Sequence, residues 1–121
     1  MTNLLKNKVL NKIFNNSDFT ITSTQLSLHT ADPTDTGTNE VTGGSYARQT
    51  LSWASPANGE ITTDLDVEFS NMPATTVTHV GIWDGTDFLW YGALPANIQV
   101  LNGQTVRISA NDLNAIINEV I

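Results

Sequence analysis

The spacing of apolar residues near the start of the chain predicts an amphipathic helix over Asn3–Asn15. Apolar residues recur there at four-residue steps and in an adjacent row, namely Leu5, Val9, Ile13, Leu10 and Phe14. Thr2 or Asn3 can cap the first turn, and the polar run from Asn15 to Ser17 ends the helix. Two interpretations stay open: the helix packs on its own sheet, or it docks on a neighbouring subunit.

From about Thr20 onward the apolar period changes to two, which is typical of half-buried strands. The predicted strands contain Leu26 and Leu28, Tyr46 to Trp53, Leu65 to Phe69, Thr76 to Trp83, Phe88 to Gly92, Ile98 to Leu101, and Thr105 to Ser109. The dipeptides Asp84-Gly85 and Asn102-Gly103 each predict a hairpin turn between the strands on either side.

Short strands at intervals of roughly ten residues are typical of a sandwich or barrel. The predicted fold is therefore mainly β, a single antiparallel β-sandwich of jelly-roll-like type with an N-terminal amphipathic helix. No internal repeat or linker divides the 121 residues, so they form one domain. Within it, residues 1–16 are the helix or arm, and residues 17–121 are the sandwich body.

Charge is unevenly distributed along the chain. Five Lys and Arg residues face twelve Asp and Glu residues, a formal net charge of −7. Lys6, Lys8 and Lys12 lie in the first twelve residues, so the remaining 109 residues carry two cations and all twelve acids. Direct nucleic-acid binding needs more cations than this. There is no cysteine and no apolar run of membrane-spanning length, so we expect no disulfide, no thiolate chemistry and no membrane association.

The side chains that carry chemistry form no recognisable catalytic motif. His29 and His79 are isolated within predicted strands, which favours structural hydrogen bonding over metal binding. No nucleophile elbow, phosphate-binding loop or dinucleotide fingerprint occurs. The loop acids Asp32, Asp35 and Glu40 offer oxygen ligands for calcium, but not at the spacing of an EF-hand. We therefore expect no enzymatic activity, no cofactor and no resident metal.

The aromatic residues admit two interpretations. They either pack in the core or form a platform on which a carbohydrate stacks, and they are Tyr46, Trp53, Trp83, Phe88, Trp90 and Tyr91. Trp90 and Tyr91 are adjacent, so on a strand their side chains face opposite ways. Core packing is the favoured interpretation, and glycan binding stays open beside it.

The loop around Gly43, Gly44 and Arg48 is predicted to be structural. A glycine pair permits a positive φ or a close approach of two backbones. Arg48 stands alone between Lys12 and Arg107 as a cation, and its planar guanidinium suits bidentate binding of a carboxylate. We expect it to hold the loop by hydrogen bonds to acids such as Asp32, Asp35 or Glu40.

Four stretches of the sequence resemble a family of small tailed-bacteriophage virion proteins, labelled tail-fibre-like proteins or capsid decoration proteins. They are LHTADPTDTGTNEVTGGSYARQ at 28–49, VTHVGIWD at 77–84, LWYGA at 89–93 and NGQTVRI at 102–108. The leucine-rich opening helix also matches the layout of this family. Within these stretches the residues taken as the structural motif are His29, Asp32, Asp35, Gly43, Gly44, Tyr46, Arg48 and Trp83.

The resemblance implies a virion structural protein with a β-sandwich body and no catalysis. The short, repeat-free acidic chain favours a capsid decoration, or cement, protein bound to the lattice of the major capsid protein. The alternative is a tail, neck or tail-fibre-associated structural protein, with host glycan binding as a further option. The expected location is the virion, after assembly in the host cytoplasm.

Attachment to the major capsid protein or another virion protein is predicted for the opening helix. Its apolar and basic residues supply buried area and electrostatic steering, and those expected to bind the partner are Leu5, Lys8, Val9, Lys12 and Ile13. A symmetric homo-oligomer, expected as a trimer, would cover the helix and the apolar segment from Ile116 to Ile121.

Overall fold

The computed structural model describes residues 1–116, in which one helix precedes a series of antiparallel strands. The elements are α1 (Asn3–Asn15), β1 (Gln25–His29), β2 (Gln49–Thr50), β3 (Glu60–Thr62), β4 (Val67–Phe69), β5 (Thr75–Asp84), β6 (Asp87–Val100), β7 (Val106–Ile108) and β8 (Asn114–Ile116), with a short 3-10 turn at Thr34–Thr36. Of the apolar C-terminal segment predicted from the sequence, all but Ile116 lies outside the described residues.

Helix α1 has the predicted bounds, and its first turn is fixed by Thr2. The buried Thr2 hydroxyl accepts a hydrogen bond from the Leu5 amide (3.3 Å) and donates to the Phe88 carbonyl (2.7 Å). The Thr2 amide donates to the Leu89 carbonyl at 2.9 Å. One residue therefore caps the helix and attaches its start to β6.

Four strands form the main sheet in the order β2-β1-β5-β6, and all its pairs are antiparallel. The predicted hairpin at Asp84-Gly85 is confirmed, since β5 and β6 pair up to Asp84 and Asp87. Two two-stranded ribbons, β3–β8 and β4–β7, complete the described fold. The predicted class, mainly antiparallel β with an N-terminal helix, is thus confirmed.

The core lies between the main sheet and the β4–β7 ribbon. It includes side chains of β1, β4, β5, β6 and β7, among them Leu26, Leu28, Val67, Phe69, Val77, Val100, Val106 and Ile108. The ribbon and the sheet therefore share one apolar interior, an arrangement consistent with the predicted sandwich. Ser27 and His29 alternate with the core leucines along β1 and are buried on the opposite face of the same strand.

The predicted second hairpin, at Asn102-Gly103, is wrong. The turn exists, because the Gln104 amide donates to the Leu101 carbonyl, but the strands that flank it pair elsewhere. Ile98 and Val100 pair with β5, whereas β7 pairs with β4. Met72, which precedes β5, holds this turn: its amide donates to the Gln104 carbonyl, and its carbonyl accepts from the Gly103 amide. The chain therefore crosses between the sheet and the ribbon here, instead of folding back on β6.

Two strand predictions also need adjusting. Leu65 precedes β4 and is 61% exposed, so the buried side of this strand consists of Val67 and Phe69. Only Gln49 and Thr50 of the predicted Tyr46–Trp53 strand pair with β1. Tyr46 and Trp53 instead form side-chain hydrogen bonds. The Tyr46 hydroxyl accepts from the Leu28 amide, and Trp53 Nε1 donates to Thr24 Oγ1.

Candidate functional site

Arg48 and Glu40 form the centre of a hydrogen-bonded brace across the loop between β1 and β2. The Arg48 Nε and Nη2 groups donate to the two oxygens of Glu40 at 3.0 and 2.9 Å. Of the three carboxylates that the sequence offers to Arg48, the structure uses Glu40. Both side chains are mostly shielded from solvent, so this bidentate pair is stronger than an exposed ion pair.

Tyr46 extends the same brace into the main sheet. Its hydroxyl donates to Glu40 Oε2 at 2.6 Å and accepts from the Leu28 amide of β1 at 3.0 Å. Burial alone would raise the pKa of Glu40, but hydrogen bonds from Arg48 and Tyr46 outweigh it and hold that pKa below its ordinary value. Burial, and then the bond to Glu40, raise the pKa of the Tyr46 phenol.

Arg48 also fixes the turn between β5 and β6. Its guanidinium carbon lies 3.7 Å from the ring centroid of Trp83, a cation–π contact, and its Nη1 donates to the Gly85 carbonyl at 3.2 Å. The Arg48 guanidinium therefore contacts a carboxylate, an aromatic face and a backbone carbonyl at once. These contacts join the long loop to the hairpin.

His29 lies below this loop in a chain of hydrogen bonds that places a proton on its Nδ1. Trp83 Nε1 donates to Ser27 Oγ at 2.9 Å, and Ser27 Oγ lies 2.7 Å from His29 Nε2. His29 Nδ1 lies 2.8 Å from the Thr38 carbonyl, which can only accept. Nδ1 therefore carries a proton, and in the neutral ring Nε2 accepts from Ser27. Burial lowers the pKa of His29.

The other polar residues predicted in the loop also have partners inside the chain. Asp32 accepts from the Thr34 amide at 2.8 Å, and Asp35 accepts from the Asn3 amide at 3.0 Å in the first turn of α1. Gly43 and Gly44 have φ of +107° and +55°, as expected for a structural glycine pair. The three loop acids thus bind three separate sets of donors and do not converge on one ligand.

Residues on the inner side of α1 are bound to the body of the same chain. Leu5 is buried, Val9 is partly buried, and Lys8 Nζ lies 3.0 Å from Asp87 Oδ2 at the start of β6. Lys12 forms an ion pair with Asp18 just after the helix. Of the five residues predicted to bind a partner, these four have contacts within the chain.

The C-terminal half of α1, in contrast, exposes apolar side chains to solvent. Leu10, Ile13 and Phe14 are 52%, 65% and 76% exposed. Four residues advance a helix by about 400°, so the row from Leu5 through Val9 to Ile13 drifts by about 80° around the axis. That drift moves Ile13 away from β6 and next to Leu10 and Phe14. Lys6 is exposed at helical spacing from Leu10, on the same side.

Two adjoining clefts open on the face of the main sheet opposite His29. The larger, of about 280 Å³, is lined mainly by apolar groups and by Trp53, Trp90, Asp112 and Asn114 among others. The smaller, of about 190 Å³, is lined by Pro56, Gly59, Glu60, Ile61, Trp90 and Ala115. Because Trp90 lines both, the clefts form one groove, and Glu60 and Asp112 are among the residues that line it.

The other aromatic residues are structural. Phe88 packs against Trp83 and Tyr91 with ring centroids 4.5 and 5.6 Å apart, and Tyr46 stacks on Phe69 at 5.9 Å. Trp90 lies across the strand from Ile82 in the groove, whereas its neighbour Tyr91 contacts Phe88. The prediction that Trp90 and Tyr91 face opposite ways is confirmed.

Within residues 1–116, no three His, Asp or Glu side chains gather closely enough to hold a metal ion. Nor does that part of the chain contain a helix with the length and apolarity needed to cross a membrane. The ionisable clusters of this part of the chain are the brace of Arg48, Glu40 and Tyr46 and separate surface pairs, which include Arg107 with Asp66.

These features define a small, mainly antiparallel β protein whose polar clusters serve to fix its own loops. The chain belongs to the family of the podophage GP4 fiber I protein gp80, whose model matches residues 1–116. It is accordingly a bacteriophage structural protein and a component of the virion. No curated protein matches the chain.

The family bears on two of the predictions made from the sequence. A bacteriophage virion protein is confirmed. The preference for capsid decoration is not supported, because the family is described as a fiber protein, which is closer to the tail or tail-fibre alternative. The compactness of the chain favoured a cement protein, but compactness alone does not distinguish a capsid knob from a fibre component.

Sequence reasoning named Ile13 as a partner-binding residue but did not single out Leu10, Phe14 or the groove at Trp90. Leu10, Ile13 and Phe14 were assigned to the same apolar side as Leu5 and Val9. A full helical projection would have separated the two groups, since it includes the drift of four-residue steps. The groove joins β3, β6 and β8, and no local pattern predicts that these segments meet.

Proposed function

We propose that this protein is a non-enzymatic structural subunit of a podophage tail fibre or of its attachment to the tail. The observation that carries the proposal is the match of a fiber-protein family over residues 1–116. The proposal replaces capsid decoration as the preferred location, and the capsid becomes the competing outcome of the test.

The contacts of the ionisable residues support a structural role. Glu40, His29 and Arg48 are ionisable residues shielded from solvent, and each makes two or more hydrogen bonds inside the chain. A general base or nucleophile needs a free atom aimed at a substrate. In this protein those atoms fix a loop, so their arrangement suits mechanical rigidity.

The test is binding of the purified, labelled protein to purified tails and purified heads in the same assay. We expect binding to tails from which the native protein has been stripped, and no binding to tailless heads. Antibody labelling of intact virions should place the label at the tail. Binding to tailless heads, or labelling over the capsid, would overturn the proposal in favour of capsid decoration.

A matched control separates specific attachment from loss of folding. Glu68→Gln changes one exposed carboxylate on β4 and should bind tails as the unmodified protein does. Unfolded protein, prepared by heating, should not compete for the same sites. If heated and native protein compete equally, the assay reports adsorption and the proposal fails.

A further inference from the structure

The end of helix α1 presents an apolar surface that the described chain does not cover. Leu10, Ile13 and Phe14 lie together, at 52%, 65% and 76% exposure, and Lys6 stands beside them. Single exposed apolar residues are ordinary, but a contiguous group framed by polar residues marks an interaction surface. We call these four residues the helix stripe.

The groove beside Trp90 is a concave, mostly apolar surface with acidic residues in its lining, and it therefore complements the apolar helix stripe with its lysine. Its smaller part is lined mostly by apolar residues, Pro56, Ile61, Trp90 and Ala115, and also by Glu60, whose carboxylate accepts a hydrogen bond from Asn114 at 3.0 Å. The larger part adds Trp53 and Asp112. Its 280 Å³ is slightly below the ~300–1,000 Å³ typical of small-molecule pockets, and its open form suits inserted side chains of another protein.

The charge of the chain favours an encounter between these two surfaces. All three lysines of the chain lie in the first twelve residues, which contain no acid, whereas the remaining residues carry two cations and twelve acids. Lys6 on the stripe and Glu60 with Asp112 in the groove repeat this polarity at the two surfaces. Opposite charges on two surfaces steer their association and disfavour orientations that bring like charges together.

A chain does not use its own stripe to fill its own groove. The start of α1 is attached to Leu89, next to Trp90, and the helix of 13 residues then extends for about 20 Å. Phe14 at its far end is the most exposed large apolar residue of the described chain. The stripe is therefore free to meet another molecule.

We propose that the helix stripe of one copy docks in the Trp90 groove of a second copy of this chain. The two surfaces differ, so the contact is heterologous, and repetition of it closes a ring when the rotation permits. The trimer expected from the sequence is such a ring. In it Phe14 and Ile13 contact Trp90 and Ile61 of the neighbour, and Lys6 faces Glu60.

The first test is complementation between two defective variants. Ile13→Gln with Phe14→Gln damages only the stripe, and Trp90→Ala damages only the groove. The unmodified protein should sediment as a trimer at micromolar concentration, and each variant alone should associate at least about tenfold more weakly. An equimolar mixture should form a pair of one copy of each, because one intact stripe then meets one intact groove.

A charge exchange tests the register and does not depend on the folding of the Trp90 variant. Lys6→Glu and Glu60→Lys should each weaken association by about tenfold, and the double variant should recover most of the loss. Leu65→Gln is the matched control. Leu65 is 61% exposed, nearly as much as Ile13 at 65%, but it lies on neither surface. It should leave the association constant unchanged.

Several outcomes would overturn the proposal. These are a monomeric unmodified protein at micromolar concentration, no pair in the mixture of variants, and an undiminished association of the stripe variant. Host-surface oligosaccharides that bind in the groove, lost in Trp90→Ala but not in Ile13→Gln with Phe14→Gln, would make it a glycan site instead. A monomer found on tails would overturn this inference and leave the fibre assignment intact.

Discussion

The loop between β1 and β2 and the last turn of α1 both carry conspicuous side chains, but the fold uses them in opposite ways. In the loop, Arg48, Glu40 and Tyr46 bind one another and the main sheet. At the end of the helix, Ile13 and Phe14 project into solvent. An unusual residue pattern therefore marks internal bracing as readily as it marks binding. Apolar side chains that the rest of the chain leaves exposed are the better indicator of an interface.

The largest effect should follow from removing the acceptor at the centre of the brace. Glu40→Ala leaves Arg48 without its carboxylate and the Tyr46 hydroxyl without its acceptor in a mostly shielded site. We expect the free energy of unfolding to fall by about 3 kcal/mol, since lost hydrogen bonds to charged groups and unpaired buried groups both contribute.

Chemical denaturation measures that change. Glu68→Ala is the control, because Glu68 is exposed on β4, and its effect should stay within about 0.5 kcal/mol. If both variants unfold at the same denaturant concentration, the brace contributes no more than a surface charge. The contrast between loop and helix would then disappear.

The two sides of α1 provide the second test. Leu5→Ala removes a side chain buried against the body and should cost about 2 kcal/mol, at the lower end for a buried leucine because the site lies at the surface. Ile13→Ala removes an exposed one and should change the stability of the isolated chain by less than about 0.5 kcal/mol.

Thermal unfolding should be followed at a concentration low enough to keep the chain monomeric. Equal losses in the two variants would mean that the end of the helix is packed in cis. That outcome would also remove the surface on which the self-association depends.

A pair of glycines separates backbone strain from crowding in the loop. Gly44 and Gly85 have nearly the same φ, +55° and +59°. A Cβ at Gly44 would lie 2.7 Å from the Asn71 carbonyl oxygen, whereas at Gly85 it would meet nothing within 4 Å. Gly44→Ala should therefore cost about 2 kcal/mol and Gly85→Ala about 1 kcal/mol.

The difference between the two melting temperatures measures the close approach of the loop to Asn71. Gly43→Ala is not comparable with this pair, because its φ of +107° adds backbone strain although its Cβ would meet Pro73 only at 3.5 Å. If Gly44→Ala and Gly85→Ala melt together, the loop is not held against Asn71, and its rigidity comes from Arg48 alone.

Local patterns predicted much of the fold. Four-residue apolar steps and the Thr2 cap define α1, alternation defines β1 and β4, and Asp84-Gly85 defines the β5–β6 turn. The failure at Asn102-Gly103 has a physical cause. A turn sequence fixes the reversal of the chain but not the partner of the next strand, and long-range core packing brought β7 to β4.

The candidate site divides in the same way. Arg48 is so isolated among acids that its pairing with a loop carboxylate was predictable, and the structure selects Glu40. The groove was not predictable, since Glu60, Trp90 and Ala115 come from three distant segments. The exposure of Phe14 was missed because an apolar residue on a predicted helix is ordinarily assigned to the core.

The smallest effect concerns the proton of His29, below the braced loop. Burial lowers the pKa of His29 from its ordinary value of 6.5 and outweighs the hydrogen bond to the Thr38 carbonyl, which favours the protonated ring. In the unfolded chain the histidine binds a proton below about pH 6.5. The folded state resists that proton, so the unfolded state binds more protons in this range. Stability should therefore fall gradually as the pH decreases from 6.5 toward the lowered pKa, and show no contribution from His29 above 6.5.

His29→Gln tests this by removing the titrating group. The variant is less stable at neutral pH, because it disturbs the contacts to Ser27 and Thr38, but its free energy of unfolding should lose part of the dependence between pH 6.5 and 5. Equal slopes for His29→Gln and the unmodified protein would mean that His29 titrates freely when folded. The loop that Arg48 braces would then open to solvent far more readily than its hydrogen bonds imply.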